Sequence, residues 1–167
     1  MKTKGLKIFY AELLLLVPLF GGCQEEGSPL ESGDLIPLSK IPENPDYASL
    51  PLVGTRWKLI GFVDSKLEMI KLAEPDSSIS YTLIFEIDGL LDGYTSTNRA
   101  SGKYLLERNS GNYLQISTFR PNTYINELFD GRNYIDTMNK VNSFSISTRG
   151  LSLLYENDKY LLFKPIK

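Results

Sequence analysis

Few side chains in this 167-residue chain could do chemistry, and most of those are carboxylates and tyrosines. Histidine is absent and cysteine occurs once. That removes Ser-His-Asp and Cys-His catalysis, together with the commonest zinc ligand. A single cysteine cannot form a disulfide within the chain. Glu86, Asp88 and Asp92 lie close together in the sequence. Two such carboxyls facing across a cleft can hydrolyse a glycosidic bond, and a tighter cluster can hold a cation. The calcium-loop spacing D-x-D-x-D-G is missing, however, and the three acids flank a turn. The expectation is an acidic, solvent-exposed hairpin, with no catalytic set, no metal site and no cofactor.

Asn98, with Ser101 and Gly102, could line a polar pocket. The expected role of Asn98 is to cap a tight turn with its side-chain amide. Trp57 is the sole tryptophan and lies in the apolar register of a strand, so it is assigned to the core. Tyr81, Tyr94, Tyr104, Tyr113, Tyr124, Tyr134, Tyr155 and Tyr160 suit half-buried strands. Those that face outward beside Arg120, Asn122 or Asn133 could form a recognition surface for a glycan or a protein. Tyr94, Asn98, Tyr104 and Arg120 are the candidate binding residues. Lys103, Arg108 and Arg120 read as dispersed among acids and not as a patch. The formal net charge is −2, so nucleic acid is not an expected partner.

Stepping outward to the elements that must hold these residues, the pattern from residue 52 onward is mostly period two. Trp57 and Leu59 alternate with Arg56, Lys58 and Ile60. Tyr81, Leu83 and Phe85 do the same, and Asp88-Gly89 supplies a hairpin turn leading to a strand over 90–94. Strands are expected over 103–107 and 113–119, around the turn 109–112. A meander over 143–147, 151–155 and 160–163 closes the chain. Residues 64–78 are ambiguous between strand and loop. Pro121-Asn122-Thr123 can open a helix, with Tyr124, Ile125, Leu128 and Phe129 on one face. Asp130-Gly131 interrupts it, and Tyr134, Ile135, Met138 and Val141 continue at helical spacing. The turns are too short for parallel crossovers. The expected fold class is therefore mainly β: an antiparallel curled sheet or partly closed barrel of about eight strands, with one short helical segment.

The first 22 residues have a different character. MKTKGLK is a basic start, Leu13 to Phe20 is a short apolar run, and Gly21-Gly22 precede Cys23. That is the order of a secretory signal peptide. The run is far shorter than the ~20 residues a membrane-spanning helix needs. Phe20-Gly21-Gly22-Cys23 resembles a bacterial lipobox, with Phe20 where an aliphatic residue is usual. The resemblance implies removal of residues 1–22 and acylation of Cys23, the lipidation site. Gln24-Glu25-Glu26 is similar to the surface-export signal of Bacteroidetes lipoproteins. The implied location is the outer membrane, lipid-anchored, on either its surface or its periplasmic side. Residues 23–51 are rich in proline and read as a flexible tether. Within it, Leu35, Ile36, Leu38 and Ile41 are apolar enough to dock on the domain of 52–167.

From Trp57 to Phe163 the chain resembles the META domain of HslJ-like envelope proteins. The residues that carry the resemblance are Gly54-Thr55-Arg56-Trp57, Phe85-Glu86-Ile87-Asp88-Gly89, Gly93, Asn98, Ser101-Gly102 and Tyr104. Leu114-Gln115-Ile116, Thr118, Phe129, Met138 and Val141 extend it, and Leu151-Ser152-Leu153 with Leu161-Leu162-Phe163 complete it. The family's central cysteines are missing, with Thr97 before Asn98. A lipocalin-like or other small barrel is the alternative. The resemblance implies no enzymatic activity, only an association with envelope stress. The functional expectation is a membrane-anchored, non-catalytic binding or structural module that meets an envelope protein or glycan. The alternative is an inhibitor of a secreted protease or lysozyme, with residues 64–78 or 107–112 as the inserted loop. A glycosidase working with carboxylates and tyrosine alone is the remotest option.

Overall fold

The computed structural model describes residues 32–107 and 112–167. The expected signal peptide, Cys23, Arg108 and most of the turn 109–112 lie outside the described residues. Ten strands and one α-helix follow in the order β1 (Leu35–Pro37), β2 (Arg56–Asp64), β3 (Met69–Leu72), β4 (Thr82–Phe85), β5 (Leu90–Tyr94), β6 (Arg99–Leu106), β7 (Leu114–Pro121), α1 (Gly131–Met138), β8 (Ser143–Ser147), β9 (Gly150–Glu156) and β10 (Lys159–Ile166). Eight strands form one path, β7-β6-β5-β4-β2-β10-β9-β8, with β3 and β1 branching from β2. Every strand-to-strand pairing is antiparallel.

The path curls until its two ends touch. Tyr113 bridges Ser143, Leu114 N–H donates to the Asn142 carbonyl at 3.3 Å, and Phe144 N–H donates to the Asn112 carbonyl at 3.0 Å. The mainly β, partly closed barrel read from the sequence is the observed fold. Its concave face buries Trp57, Leu83, Phe85, Leu91, Leu114, Leu153 and Phe163. Each such side chain contributes about 1.5–3 kcal/mol by leaving water. Gly150 is obligatory at the turn into β9: its φ is +119°, and a Cβ there would meet the Phe163 carbonyl oxygen at 2.0 Å.

The helix plugs the barrel with Tyr134, Ile135 and Met138. Asn139, at its C-terminal cap, clamps the edge of β7. It accepts from Phe119 N–H at 2.9 Å and donates to the Phe119 carbonyl at 2.8 Å. A side-chain amide thereby stands in for a neighbouring strand. Tyr134 packs edge-on against Tyr81 and Phe119, at 5.3 and 5.6 Å between ring centres. Burial pushes the phenol of Tyr134 up from its ordinary value, and its hydroxyl has no hydrogen-bond partner among the described residues.

Two expectations need correction. Residues 122–129 are not helical, and the helix begins only at Gly131. Tyr124, Ile125, Leu128 and Phe129 all face water. The polar contacts described below hold this stretch open, and Phe129 sits at φ +48°, a value no helix accepts. Secondly, residues 33–50 are not a flexible tether as a whole, and the docking expected of Leu38 and Ile41 takes place. β1 pairs with β3, and Leu38 and Ile41 bury against Val63, Ile70 and Leu162. Those three lie on the convex side of β2, β3 and β10, opposite the main core. The apolar run Tyr160-Leu161-Leu162-Phe163 belongs to a strand covered on both faces.

Truncation tests this second core. A chain starting at Leu52 keeps the main barrel but bares Val63, Ile70 and Leu162. It is expected to lose about 3 kcal/mol or more of stability in denaturant unfolding and to bind a hydrophobic dye. A truncation that left the unfolding midpoint unchanged would mean that the segment contributes nothing.

Candidate binding face

Antiparallel register assembles polar side chains that are far apart in the sequence. Arg56 of β2 pairs with Ile84 of β4, Ile84 with Asp92 of β5, Asp92 with Ser101 of β6, and Ser101 with Arg120 of β7. Residues directly opposite one another share a face. This row therefore crosses the convex side of the sheet with an arginine at each end. Tyr94 pairs with Arg99 and Leu90 with Lys103 on the same side.

Asp92 and Arg99 form a two-pronged ion pair, Nε to Oδ1 at 3.0 Å and the terminal nitrogen to Oδ2 at 3.1 Å. The pair lifts the Arg99 guanidinium further above its ordinary value. On one side of it lies an open groove of about 440 Å³, lined by Glu86, Leu90, Asp92, Arg99, Ser101, Lys103, Thr118 and Arg120. On the other lies one of about 290 Å³ with Arg56, Thr82, Ile84 and Tyr94. Arg120 also borders a third hollow with Pro121, Asn122, Thr123 and Tyr124. Among the described residues Arg56, Lys103 and Arg120 make no ion pair. Of the cations read as dispersed among acids, Lys103 and Arg120 line one groove, with Glu86 and Asp92 among them, and Arg56 and Arg99 lie on the same side of the sheet. Alternation at positions 99, 101 and 103 was the available signal, but only the register reveals the partners.

Of the four candidate binding residues, Tyr94 and Arg120 lie on this face. Tyr104 does not. Its ring packs edge-on against Phe85 at 5.1 Å between centres, and its hydroxyl donates to the Glu86 carbonyl. Burial and the nearby Asp88 and Glu86 push its phenol up. Asn98 is buried and serves a connection, not its own turn. Its Nδ2 donates to the Ile125 carbonyl at 2.8 Å and to Glu127 Oε1 at 2.6 Å, and its Oδ1 accepts from the Thr123 hydroxyl. The turn is closed instead by Thr95, whose hydroxyl accepts from Asn98 N–H at 2.9 Å. Thr95 Oγ1 and Ser96 Oγ each lie 2.8 Å from a Glu127 oxygen. Gly131 makes room for this knot, since a Cβ there would sit 2.2 Å from Ser96 Oγ.

Further acids are committed, while the Glu86 carboxylate stands on the groove with no side-chain hydrogen bond or ion pair among the described residues. Asp88 Oδ1 accepts from Leu90 N–H at 3.2 Å and caps its own turn. The Asp130 carboxylate takes Lys71 Nζ at 2.5 Å and Glu74 N–H at 2.9 Å. Lys58 is a buried cation whose ammonium donates to the carbonyls of Ser77 and Ser80 at 2.7 and 2.6 Å, with Asp76 at 3.5 Å. Desolvation lowers its pKa, which Asp76 partly offsets. It pins the loop ahead of β4. The expected loop 64–78 is consequently a hairpin, β2 to β3, followed by this pinned segment.

Two solved structures share the fold. A crystal structure of a DUF4847 family protein from Bacteroides vulgatus aligns with a TM-score of 0.51 at 15% identity, covering 70% of this chain and 92% of that one. An NMR structure of a protein from Burkholderia xenovorans aligns with a TM-score of 0.54 at 19% identity, covering 86% of this chain and 98% of that one. At these identities the likeness is one of fold alone. No family model and no curated protein matches the chain.

The knot around Glu127 makes a testable demand. Glu127→Ala leaves three side-chain groups without their acceptor. It is expected to cost about 2–3 kcal/mol in denaturant unfolding, with Asn98→Ala costing a similar amount. The double variant should lose clearly less than the sum, because both act on one network. Strict additivity would show that the two do not share it.

Proposed function

We propose that this chain is an envelope lipoprotein, moored at the outer membrane through acylated Cys23, whose domain is a non-catalytic binding module. Its ligand is an acidic group on an envelope glycan or partner protein, taken on the convex face of β5, β6 and β7. The observation that carries this reading is the pair of cations, Lys103 and Arg120, which make no ion pair among the described residues and line one groove with Ser101, Glu86 and the Asp92–Arg99 fork. An arginine with a free, planar fork suits a carboxylate or phosphate. Asp92 is satisfied by Arg99 and fixes that guanidinium beside the groove. The face is open and shallow, which suits a polymer better than a small molecule.

The META resemblance forms part of this proposal and rests on the sequence motifs alone. Asp88, Asp92 and Glu127 are spent on a cap, the fork and the knot. That leaves only Glu86 of the hairpin's three acids uncommitted among the described residues, one carboxylate short of a glycosidase pair, and supports a binding role. The inhibitor reading is less well supported at residues 64–78, which are held by strand pairing and by Lys58; its other candidate loop, 107–112, lies largely outside the described residues.

Binding to an array of carboxylated and neutral glycans, and to acidic and neutral peptides, tests the reading. The mature protein should retain acidic members only. Arg120→Ala and Lys103→Ala should each weaken binding about tenfold, equivalent to about 1.4 kcal/mol. Raising salt should weaken it further. Preference for neutral ligands, or affinity unchanged in both variants, would overturn the proposal.

A further inference from the structure

The segment Tyr124-Ile125-Asn126-Glu127-Leu128-Phe129 connects β7 to α1 and turns its apolar side chains outward. Tyr124 is 106% exposed, Phe129 64%, Ile125 61% and Leu128 56%. A run of large apolar side chains facing water marks a surface made for an apolar partner. The segment is held, not slack. Its one charge, Glu127, is turned inward onto Thr95, Ser96 and Asn98. Asn98 fixes the Ile125 carbonyl and Ser96 Oγ accepts from Leu128 N–H at 3.2 Å. Phe129 keeps its left-handed φ while Asp130 N–H donates to the Glu74 carbonyl at 3.1 Å.

The same Glu74 marks where the described chain begins. Gly33 lies against it, so that a Cβ on Gly33 would sit 2.9 Å from Glu74 Oε2. The N-terminal segment therefore leaves the domain beside the base of the apolar loop. Only nine residue steps separate Ser32 from Cys23. Fully extended, they reach about 30 Å. A lipid at Cys23 would hold this edge of the domain close to the bilayer at a high effective concentration.

We propose that residues 124–129 insert into the surface of the membrane to which Cys23 is anchored. Ile125, Leu128 and Phe129 enter the acyl region, and Tyr124 rests at the headgroup level as interfacial tyrosines do. This contact adds apolar burial to the lipid anchor and fixes the domain's orientation. The inference rests on the anchor reading and not on the cationic face.

The test uses the acylated full-length protein, in which the Cys23 sulfur is blocked. Ile125→Cys or Phe129→Cys then offers one thiol for an environment-sensitive fluorophore. Ile87→Cys is the control, fully exposed in the β4–β5 turn at the other end of that hairpin. In phosphatidylethanolamine–phosphatidylglycerol vesicles carrying doxyl-labelled lipid, labels at 125 and 129 should shift to the blue and be quenched, while the label at 87 should do neither. Labels at 125 and 129 that stay as unquenched as the control overturn the insertion while leaving the anchor standing. A blue shift without lipid quenching means that protein covers the loop, and also overturns it. Mass spectrometry that finds no acyl group on Cys23 overturns the anchor and the insertion together.

Discussion

Two adjacent strands, β2 and β10, carry apolar side chains on both faces, and water must be kept from both. Their pairing is the longest in the sheet and is broken by one bulge between Leu162 and Phe163. On the concave side Trp57, Leu59, Leu161 and Phe163 force the sheet to curl round a shared interior. On the convex side Val63 and Leu162 demand a cover, which Leu38 and Ile41 provide. The N-terminal segment is therefore a structural part of the domain. Its attachment point also decides which edge of the barrel a lipid anchor would draw towards a membrane.

A curled sheet leaves an open end, and the route from β7 to β8 has to close it. The chain does so with one short helix whose buried face carries Tyr134, Ile135 and Met138. The approach to that helix is governed by hydrogen bonding. Asn98, Thr95 and Ser96 reach across from the β5–β6 turn and take Glu127, which holds the backbone of 122–129 out of a helix. Side chains of this kind compete with helix formation by offering the backbone other partners. The outcome is a rigid connection that hides its charge and shows its apolar residues.

Much of this was legible from one sequence. The alternation in 81–86, 90–94 and 143–163 placed β4, β5 and the closing meander to within three residues at every end, because period-two burial is a local signal. The helix over 122–129 was misread for an instructive reason. Tyr124, Ile125, Leu128 and Phe129 have helical spacing, but spacing alone does not say whether the partner lies inside the molecule. The positive φ of Phe129 and the pull of Asn98 from 27 positions away leave no local trace. The cationic face was hidden for the same reason. Arg56, Arg99, Lys103 and Arg120 come to one face only through register across five strands. Tyr104 follows the unbroken alternation of β6 against β5, which puts it on the side of Ala100 and Gly102, opposite Ser101 and Lys103; which of those two sides is concave was not legible from β6 alone.

The polar face and the apolar loop then divide the surface between them, one suited to charged groups and the other to an oily partner. The sealing of the convex side of the central strands by the N-terminal segment adds a second core to the barrel that carries both. Amide hydrogen exchange across residues 33–41 tests that seal most directly. Gly33 N–H donates to the Leu72 carbonyl, Leu72 N–H to Asp34 and Leu38 N–H to Glu68. These amides should be protected about as strongly as those of β3. Exchange of Gly33 and Leu38 at the rate of an unfolded chain would contradict the account.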